Sequence, residues 1–82
     1  MNRVVSVKPM PDWKLEVAFS DGTRGVLSIK DRLFGPVFEP LKDPVFFEQV
    51  QIDEFGAVCW PNGADLAPDA LYEKIKEVAR VA

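Results

Sequence analysis

Polar and apolar residues alternate along the first third of the chain. Residues 5–8 alternate in this way, and in the run 13–19 every second residue is large and apolar: Trp13, Leu15, Val17 and Phe19. A period of two is typical of strands that bury one face, so two strands are predicted, the first of them ended by Pro9. Residues 26–29 alternate again after a turn and predict a third strand.

The length of the turn between the second and third strands determines how they pair. A two-residue Asp-Gly loop would put Leu27 on the opposite face from Leu15, because side chains alternate strictly along a strand. A three-residue Ser-Asp-Gly loop instead pairs Leu15 with Leu27 and Val17 with Gly25, which keeps the large apolar residues on one face. We therefore predict a type I turn with Gly22 in the left-handed region, forming a G1 bulge.

The middle of the chain is rich in proline and predicts short elements. Residues 30–34 form one helical turn that ends at Gly35-Pro36, and residues 37–41 are predicted to be irregular but packed on the sheet. Asp43-Pro44 is typical of a helix start, with Asp as N-cap and Pro at the first helical position. A short helix over residues 45–50 follows.

The last third of the chain predicts a second hairpin and a helix. Residues 51–53 and 57–60 form the two strands, residues 54–56 form the turn, and residues 61–63 end the second strand. A helix is predicted from residue 68 to about residue 81, because its apolar residues recur at helical spacing. They are Leu71, Ile75, Val78 and Ala82.

Together these elements predict a single α+β domain over residues 1–82. Its core is a small antiparallel sheet of four to five strands made of two hairpins. A short central helix and a C-terminal helix packed on the sheet complete it. The 82 residues leave room for one domain.

Composition excludes several classes of function. A net charge of −3 argues against direct nucleic-acid binding, which needs a clustered basic surface. The chain has no His and a single Cys, Cys59, so we expect no catalytic, cofactor-binding or metal-ligating residues and no enzyme activity. It has no apolar run long enough to span a membrane and no signal-peptide pattern. We therefore expect a cytoplasmic protein.

Charge is unevenly distributed along the chain. The segment 43–73 has seven acidic residues and no Lys or Arg: Asp43, Glu48, Asp53, Glu54, Asp65, Asp69 and Glu73. One interpretation is an acidic surface that steers a basic partner, and the other is solvation and helix capping. The last three of these carboxylates could also form an acid–base pair or a weak divalent-cation site.

Two further features have both a functional and a structural interpretation. The stretch 60–68 joins the second hairpin to the last helix with Trp60, Asn62 and Asp65 close together, either as a recognition loop or as a structural turn. The nine aromatic residues are more than one sheet face needs, so some are expected on the surface. The candidate partner-binding residues are Trp60, Asn62, Asp65, Asp69, Phe55 and Phe47.

Two strings of residues carry a family resemblance. They are Gly-Pro-Val-Phe-Glu-Pro-Leu-Lys-Asp-Pro at 35–44 and Trp-Pro-Asn-Gly-Ala-Asp-Leu at 60–66. With them the chain resembles, over almost its whole length, the small bacterial family known as domain of unknown function 2442. Ala67 departs from the Ser or Asp expected at that helix N-cap.

The resemblance implies a small α+β fold and a protein partner. Some members continue into a helix-turn-helix, which we expect this chain to lack. Short members often lie beside a gene for another small protein, and the pair has been proposed to be a toxin–antitoxin module with this family as the antitoxin.

The main functional hypothesis is therefore a protein-interaction module that binds a small basic protein encoded nearby. A homodimeric structural or regulatory domain, with exposed aromatic residues at the seam, is the alternative. A small ligand-binding domain centred on residues 60–65 is the third possibility.

Overall fold

Two three-stranded antiparallel sheets and a C-terminal helix make up the α+β fold. The computed structural model describes the backbone of residues 3–81 and the side chains of residues 3–77. Sheet A has the order β1-β2-β3, formed by β1 (Val4–Met10), β2 (Lys14–Phe19) and β3 (Arg24–Ser28). Sheet B has the order β4-β5-β6, formed by β4 (Gln51–Ile52), β5 (Val58–Cys59) and β6 (Asp65–Leu66). Helix α3 spans Pro68–Val81, as the apolar stripe predicts.

The prediction of one sheet of four to five strands is wrong. The first hairpin does not extend into the second as a ladder, because β1 lies close to β4 but its main-chain hydrogen bond goes to the turn that follows β4. The N–H of Val4 donates to the carbonyl of Gly56 at 3.0 Å, and the Arg3 side chain donates to the carbonyl of Glu54 at 2.7 Å. Two small sheets therefore share the core.

The predicted β2–β3 register is confirmed. Leu15 pairs with Leu27 and Val17 with Gly25, across the three-residue loop. Gly22 has a φ of +92°, a conformation that side chains disfavour, and its N–H donates to the carbonyl of Phe19 at 3.0 Å. The large apolar residues on the shared face of the two strands are buried, so the face predicted to point into the core does so.

Strand β1 continues through Pro9, which was predicted to end it. Pro9 lies opposite Leu15, at a position where β2 directs its main-chain groups towards β3, so the missing N–H faces away from β2. The residues of β1 that point into the core also differ from the prediction. The pairing shifts by one residue between Val4 and Ser6, which buries Val4 and leaves Val5 exposed.

Trp13 is not part of β2, although it was predicted to share its buried face. It lies in the β1–β2 turn, where Asp12 and Trp13 have φ values of 64° and 56°. The half-buried indole packs against the core, and its Nε1–H donates to the carbonyl of Leu41 at 2.8 Å.

The proline-rich middle segment is helical where an irregular stretch was predicted. After a 3-10 turn at Lys30–Arg32 come α1 (Gly35–Phe38), a 3-10 turn at Glu39–Lys42, and α2 (Pro44–Phe47). Each of the last three has a proline at one of its first two positions, where the missing N–H has no helical partner to lose. The Asp43 cap is confirmed, because its Oδ1 accepts the N–H of Val45 at 3.0 Å.

The second predicted hairpin is present as β4 and β5, and β5 ends before residues 61–63 as predicted, but the sheet continues beyond them. They form a second turn of the Gly22 type: the N–H of Trp60 donates to the carbonyl of Ala64 at 2.9 Å, and Gly63 has a φ of +92°. The chain therefore returns as β6, which pairs Leu66 with Val58.

The core lies between the two sheets and the helices. Leu71 and Ile75 bring the apolar face of α3 into it, while Val78 and Ala82, the other two predicted stripe positions, lie outside the described side chains. The fully buried large side chains come from both sheets and from the middle segment: Trp60, Phe19, Leu15, Ile29, Leu41, Val17 and Val58.

Candidate protein-binding surface

Two of the candidate partner-binding residues, Trp60 and Phe47, are core residues. They are 2% and 3% exposed, and their rings stack with centroids 6.0 Å apart at an angle of 29°. The indole N–H of Trp60 donates to the main-chain carbonyl of Phe47 at 2.9 Å. The contact between Trp60 and Phe47 holds α2 against sheet B, and almost none of the surface of either ring is accessible to a partner.

Asn62 is exposed, but both ends of its amide are used within the chain. Its Nδ2 donates to the carbonyl of Val37 at 2.8 Å, and its Oδ1 accepts the N–H of Ala64 at 3.1 Å. Asn62 thus stabilises the β5–β6 turn and ties it to α1. Together with the buried Trp60, these contacts support the structural interpretation of the loop over the ligand-binding one.

The remaining candidates, Phe55, Asp65 and Asp69, are exposed. Phe55 lies in the turn of the β4–β5 hairpin with 74% of its surface accessible. Asp65 begins β6 and is paired with Cys59, whereas Asp69 lies in the first turn of α3. The structure therefore places Phe55 and Asp65 on one small sheet and Asp69 on a separate element.

Sheet B presents an acidic outer face. Cross-strand partners share a face, so Gln51, Cys59 and Asp65 point outwards together, opposite the buried Val58. Asp53 is the next residue of β4's outward row. Its Oδ1 accepts the N–H groups of Phe55 at 2.8 Å and of Ala57 at 3.0 Å. Asp53 is thus fixed by the turn, while Asp65 is held only by its strand.

The thiol of Cys59 lies between these two carboxylates. Its partial burial raises its pKa, and the negative charges of Asp53 and Asp65 raise the pKa further. A higher pKa means less thiolate at neutral pH and thus a weaker nucleophile. The geometry therefore suits a structural cysteine better than a reactive one.

Sheet A presents the opposite charge. Lys8 is paired with Glu16, Lys14 with Ser28, and Arg24 with Ala18, and all of these lie on its outer face. This basic face was not among the sequence candidates. The sequence does contain a pattern that indicates this face: the charged residues of the three strands occupy even-numbered positions, while the buried residues are mostly at odd-numbered ones.

Part of the charge segregation along the chain therefore becomes segregation in space. Asp43 and Asp53 support the capping interpretation, because both bind main-chain amides. Asp65 supports the surface interpretation, because it is exposed on a sheet face of one sign. Both interpretations thus apply, to different residues.

The possible divalent-cation site at Asp65, Asp69 and Glu73 is not formed among the described side chains. Within residues 3–77, where side chains are described, no three His, Cys, Asp or Glu side chains are placed to hold a metal ion, and this includes Asp65, Asp69 and Glu73. No helix in the described part of the chain is long and apolar enough to cross a membrane.

Comparisons with known proteins agree with the resemblance in the two sequence strings. No curated protein and no solved structure matches the chain. One family model, described as "Protein of unknown function (DUF2442)", matches residues 4–77. That range includes both sheets, the helical middle segment and most of α3, so the chain belongs to the DUF2442 family of proteins of unknown function.

Proposed function

We propose that this protein is a protein-interaction module that binds a small basic protein through the outer face of sheet B. The observation that carries the proposal is the opposite charge of the two sheet faces. Asp53 and Asp65 give sheet B its negative face, and sheet A carries Lys8, Lys14 and Arg24 on its own. A basic partner is attracted to the outer face of sheet B and repelled from the outer face of sheet A, which orients the encounter.

Phe55 supplies an apolar anchor beside the acidic face. A large aromatic ring that is 74% exposed loses much apolar surface when a partner covers it, and aromatic residues are enriched at interface hot spots. Its main-chain N–H is held by Asp53, so the turn that presents the ring is already ordered before binding. Ordering in advance lowers the entropy lost on association.

The partner of this proposal is the protein encoded by the adjacent gene. Membership of the family supports this choice through the resemblance set out above, in which short members often lie beside a gene for another small protein and have been proposed to be its antitoxin. The proposal places both proteins in the cytoplasm. Neutralisation of the partner then consists of covering its basic surface.

The test is co-expression and co-purification with the adjacent-gene product, followed by calorimetric titration. We expect a stoichiometric complex whose affinity falls as salt is raised from about 50 to about 200 mM, because exposed charges are screened over this range. Asp65→Asn should weaken the complex. Glu16→Gln, the same charge change on sheet A, is the matched control and should not.

A second measurement tests the biological part of the proposal. Expression of the partner alone should slow growth, and co-expression of this chain should restore it; Phe55→Ser should reduce the rescue while leaving the fold intact. Absence of both complex and rescue would overturn the proposal. Equal effects of Asp65→Asn and Glu16→Gln would show that the acidic face does not select the partner.

A further inference from the structure

The outer edge of β3 has main-chain groups that have no partner among the described residues. In the β2–β3 hairpin, the N–H of Phe19 donates to the carbonyl of Thr23 at 2.7 Å, and the N–H of Ile29 donates to the carbonyl of Trp13 at 2.9 Å. Odd-numbered residues of β3 therefore bond to β2. Because hydrogen-bonded and non-hydrogen-bonded pairs alternate in antiparallel strands, the N–H and C=O groups at positions 24, 26 and 28 face outwards.

The other long edge of sheet A is protected, and this one is not. β1 has Pro9, which has no N–H to offer, a bulge at Val5, and a bond from Val4 to Gly56 of the next hairpin. These are the usual devices that keep an edge strand from pairing with another chain. β3 has none of them, and Val26 at its centre is 43% exposed.

The space beside β3 is open enough to admit a strand. A groove of about 550 Å³ runs between β3 and α3, and the residues that line it are Val26, Leu27, Ser28, Lys30, Asp31 and Lys74. The side of α3 that faces sheet A is held close to β3, since a Cβ on Gly25 would lie 2.9 Å from Cγ2 of Ile75. The helix thus packs on the inner face of sheet A at Gly25, and within residues 3–77 no side chain bonds to the main-chain groups of residues 24, 26 and 28.

We propose that a second copy of this chain pairs with β3 antiparallel about a two-fold axis at Val26. Val26 then lies opposite Val26 of the partner subunit, and Arg24 opposite Ser28 of the partner subunit. In this register the outward N–H and C=O groups of residues 24, 26 and 28 face those of residues 28, 26 and 24 of the partner subunit. Each of the three pairs forms two main-chain hydrogen bonds, six in all, and the two copies of sheet A become one six-stranded sheet. This surface is distinct from the acidic face of sheet B.

The side chains favour this register. The two Val26 side chains meet as a β-branched cross-strand pair, and no like charges lie directly opposite each other. The two Arg24 residues are four positions apart along the strands, about 14 Å at strand rise, which exceeds the screening length of about 8–10 Å. A five-residue edge is much smaller than the usual interface of about 20–30 residues a side, so the dimer is weak and reversible.

The experiment combines sedimentation equilibrium with amide hydrogen exchange on the full chain over a range of concentrations. We expect a monomer–dimer equilibrium, with protection of the amides of Arg24, Val26 and Ser28 that rises with concentration. The amides of Gly25 and Leu27, already bonded to β2, should not respond. Val26→Pro removes the central outward N–H without breaking a β2–β3 bond and should abolish dimerisation.

A second variant keeps the test decisive if Val26→Pro does not fold. Val26→Lys retains the N–H and puts two cations opposite each other, so it should also give a monomer. Val5→Lys, the same change at an exposed valine of the protected edge, is the matched control and should still dimerise. A wild-type chain that stays monomeric at millimolar concentration overturns the proposal, and so does a Val26→Lys variant that dimerises like the wild type.

Salt separates this proposal from the proposed function. The paired strands bring no charged residues directly opposite each other, so raising the salt concentration should leave dimerisation nearly unchanged. The complex at the acidic face should instead weaken. Asp65→Asn should not alter the dimer, and Val26→Lys should not alter the complex with the adjacent-gene product, so either proposal can fail alone.

Discussion

Trp60→Phe tests whether the string of residues at 60–66 maintains the fold. The change removes an indole N–H that donates to the carbonyl of Phe47 at 2.9 Å in a buried site. It also removes part of a ring that stacks on Phe47 and is 2% exposed. Trp13→Phe is the natural control, because the Trp13 indole also donates to a main-chain carbonyl of the middle segment, that of Leu41 at 2.8 Å, but is only half-buried.

The expected magnitudes differ because water can reach one site and not the other. A buried carbonyl left without a donor costs about 1–3 kcal/mol, and the lost ring volume adds to this. We expect Trp60→Phe to lower the free energy of unfolding by about 2–4 kcal/mol, a large part of the roughly 4–12 kcal/mol typical of a domain this size. Trp13→Phe should cost about 1 kcal/mol, since water can replace the lost donor.

Urea denaturation followed by far-UV circular dichroism measures both changes, and the remaining tryptophan provides a second signal in each variant. Thermal unfolding should show a fall in Tm of about 8–32 °C for Trp60→Phe, at about 4–8 °C per kcal/mol. If Trp60→Phe changes stability by less than about 0.5 kcal/mol, or less than Trp13→Phe does, then the buried hydrogen bond does not hold α2 on sheet B as we argue.

Three further predictions concern α3 and the first hairpin. Ala67→Asp should raise the free energy of unfolding by about 0.5–2 kcal/mol, because the carbonyl of Ala67 accepts the first hydrogen bond of α3 while its side chain has no acceptor to cap the helix. Gly25→Ala should lower it by about 1–3 kcal/mol, because the new Cβ would lie 2.9 Å from Cγ2 of Ile75. Tyr72→Phe should raise the pKa of Asp21 in an NMR titration. Two hydrogen bonds hold that pKa below its usual range. The larger effect comes from the main-chain N–H of Thr23, and the next from the Tyr72 hydroxyl, which donates to Oδ2 of Asp21 at 2.7 Å. The pKa of Asp21 is lower in the folded than in the unfolded protein, so its stabilising contribution is present above the unfolded pKa and is lost as pH falls through the folded pKa. The free energies of unfolding of the wild type and Tyr72→Phe should therefore converge at acidic pH.

Each of these has an outcome that contradicts it. Ala67→Ser should reproduce the gain of Ala67→Asp, so a loss in both variants would mean that this position does not act as an N-cap. Gly25→Ala at wild-type stability would mean that α3 shifts away from β3 at little cost. An unchanged pKa of Asp21 in Tyr72→Phe would mean that the hydroxyl does not donate to it in solution.

The second and third strands could be predicted in detail because their information is local. Side chains alternate strictly along a strand, so one odd-length loop after Phe19 was enough to pair Leu15 with Leu27. The turn before β6 has the same local pattern. Asn62-Gly63 follows Trp60 just as Asp21-Gly22 follows Phe19, and the same parity pairs Val58 with Leu66.

The choice between the functional and the structural interpretation of residues 60–66 could not be made from the sequence, because it depends on segments far away in the chain. The Asn62 amide is used by Val37, and the Trp60 indole by Phe47. No pattern within the string indicates either partner. Exposed polar residues beside a tryptophan therefore fit both a recognition loop and a structural turn on the sequence alone.

The sequence by itself determined the class of fold, the β2–β3 register, the Asp43 cap, the α3 helix and the family. All of these depend on residues that are close together along the chain, through side-chain alternation, helical spacing, turn geometry and capping. The tertiary structure alone decided that the strands form two sheets, that Trp60 and Phe47 are buried, that the outer faces of the two sheets carry opposite charges, and that the edge of β3 is open. These follow from which distant segments meet, and the hydrogen bonds and burial that select those contacts exist only once the chain has folded.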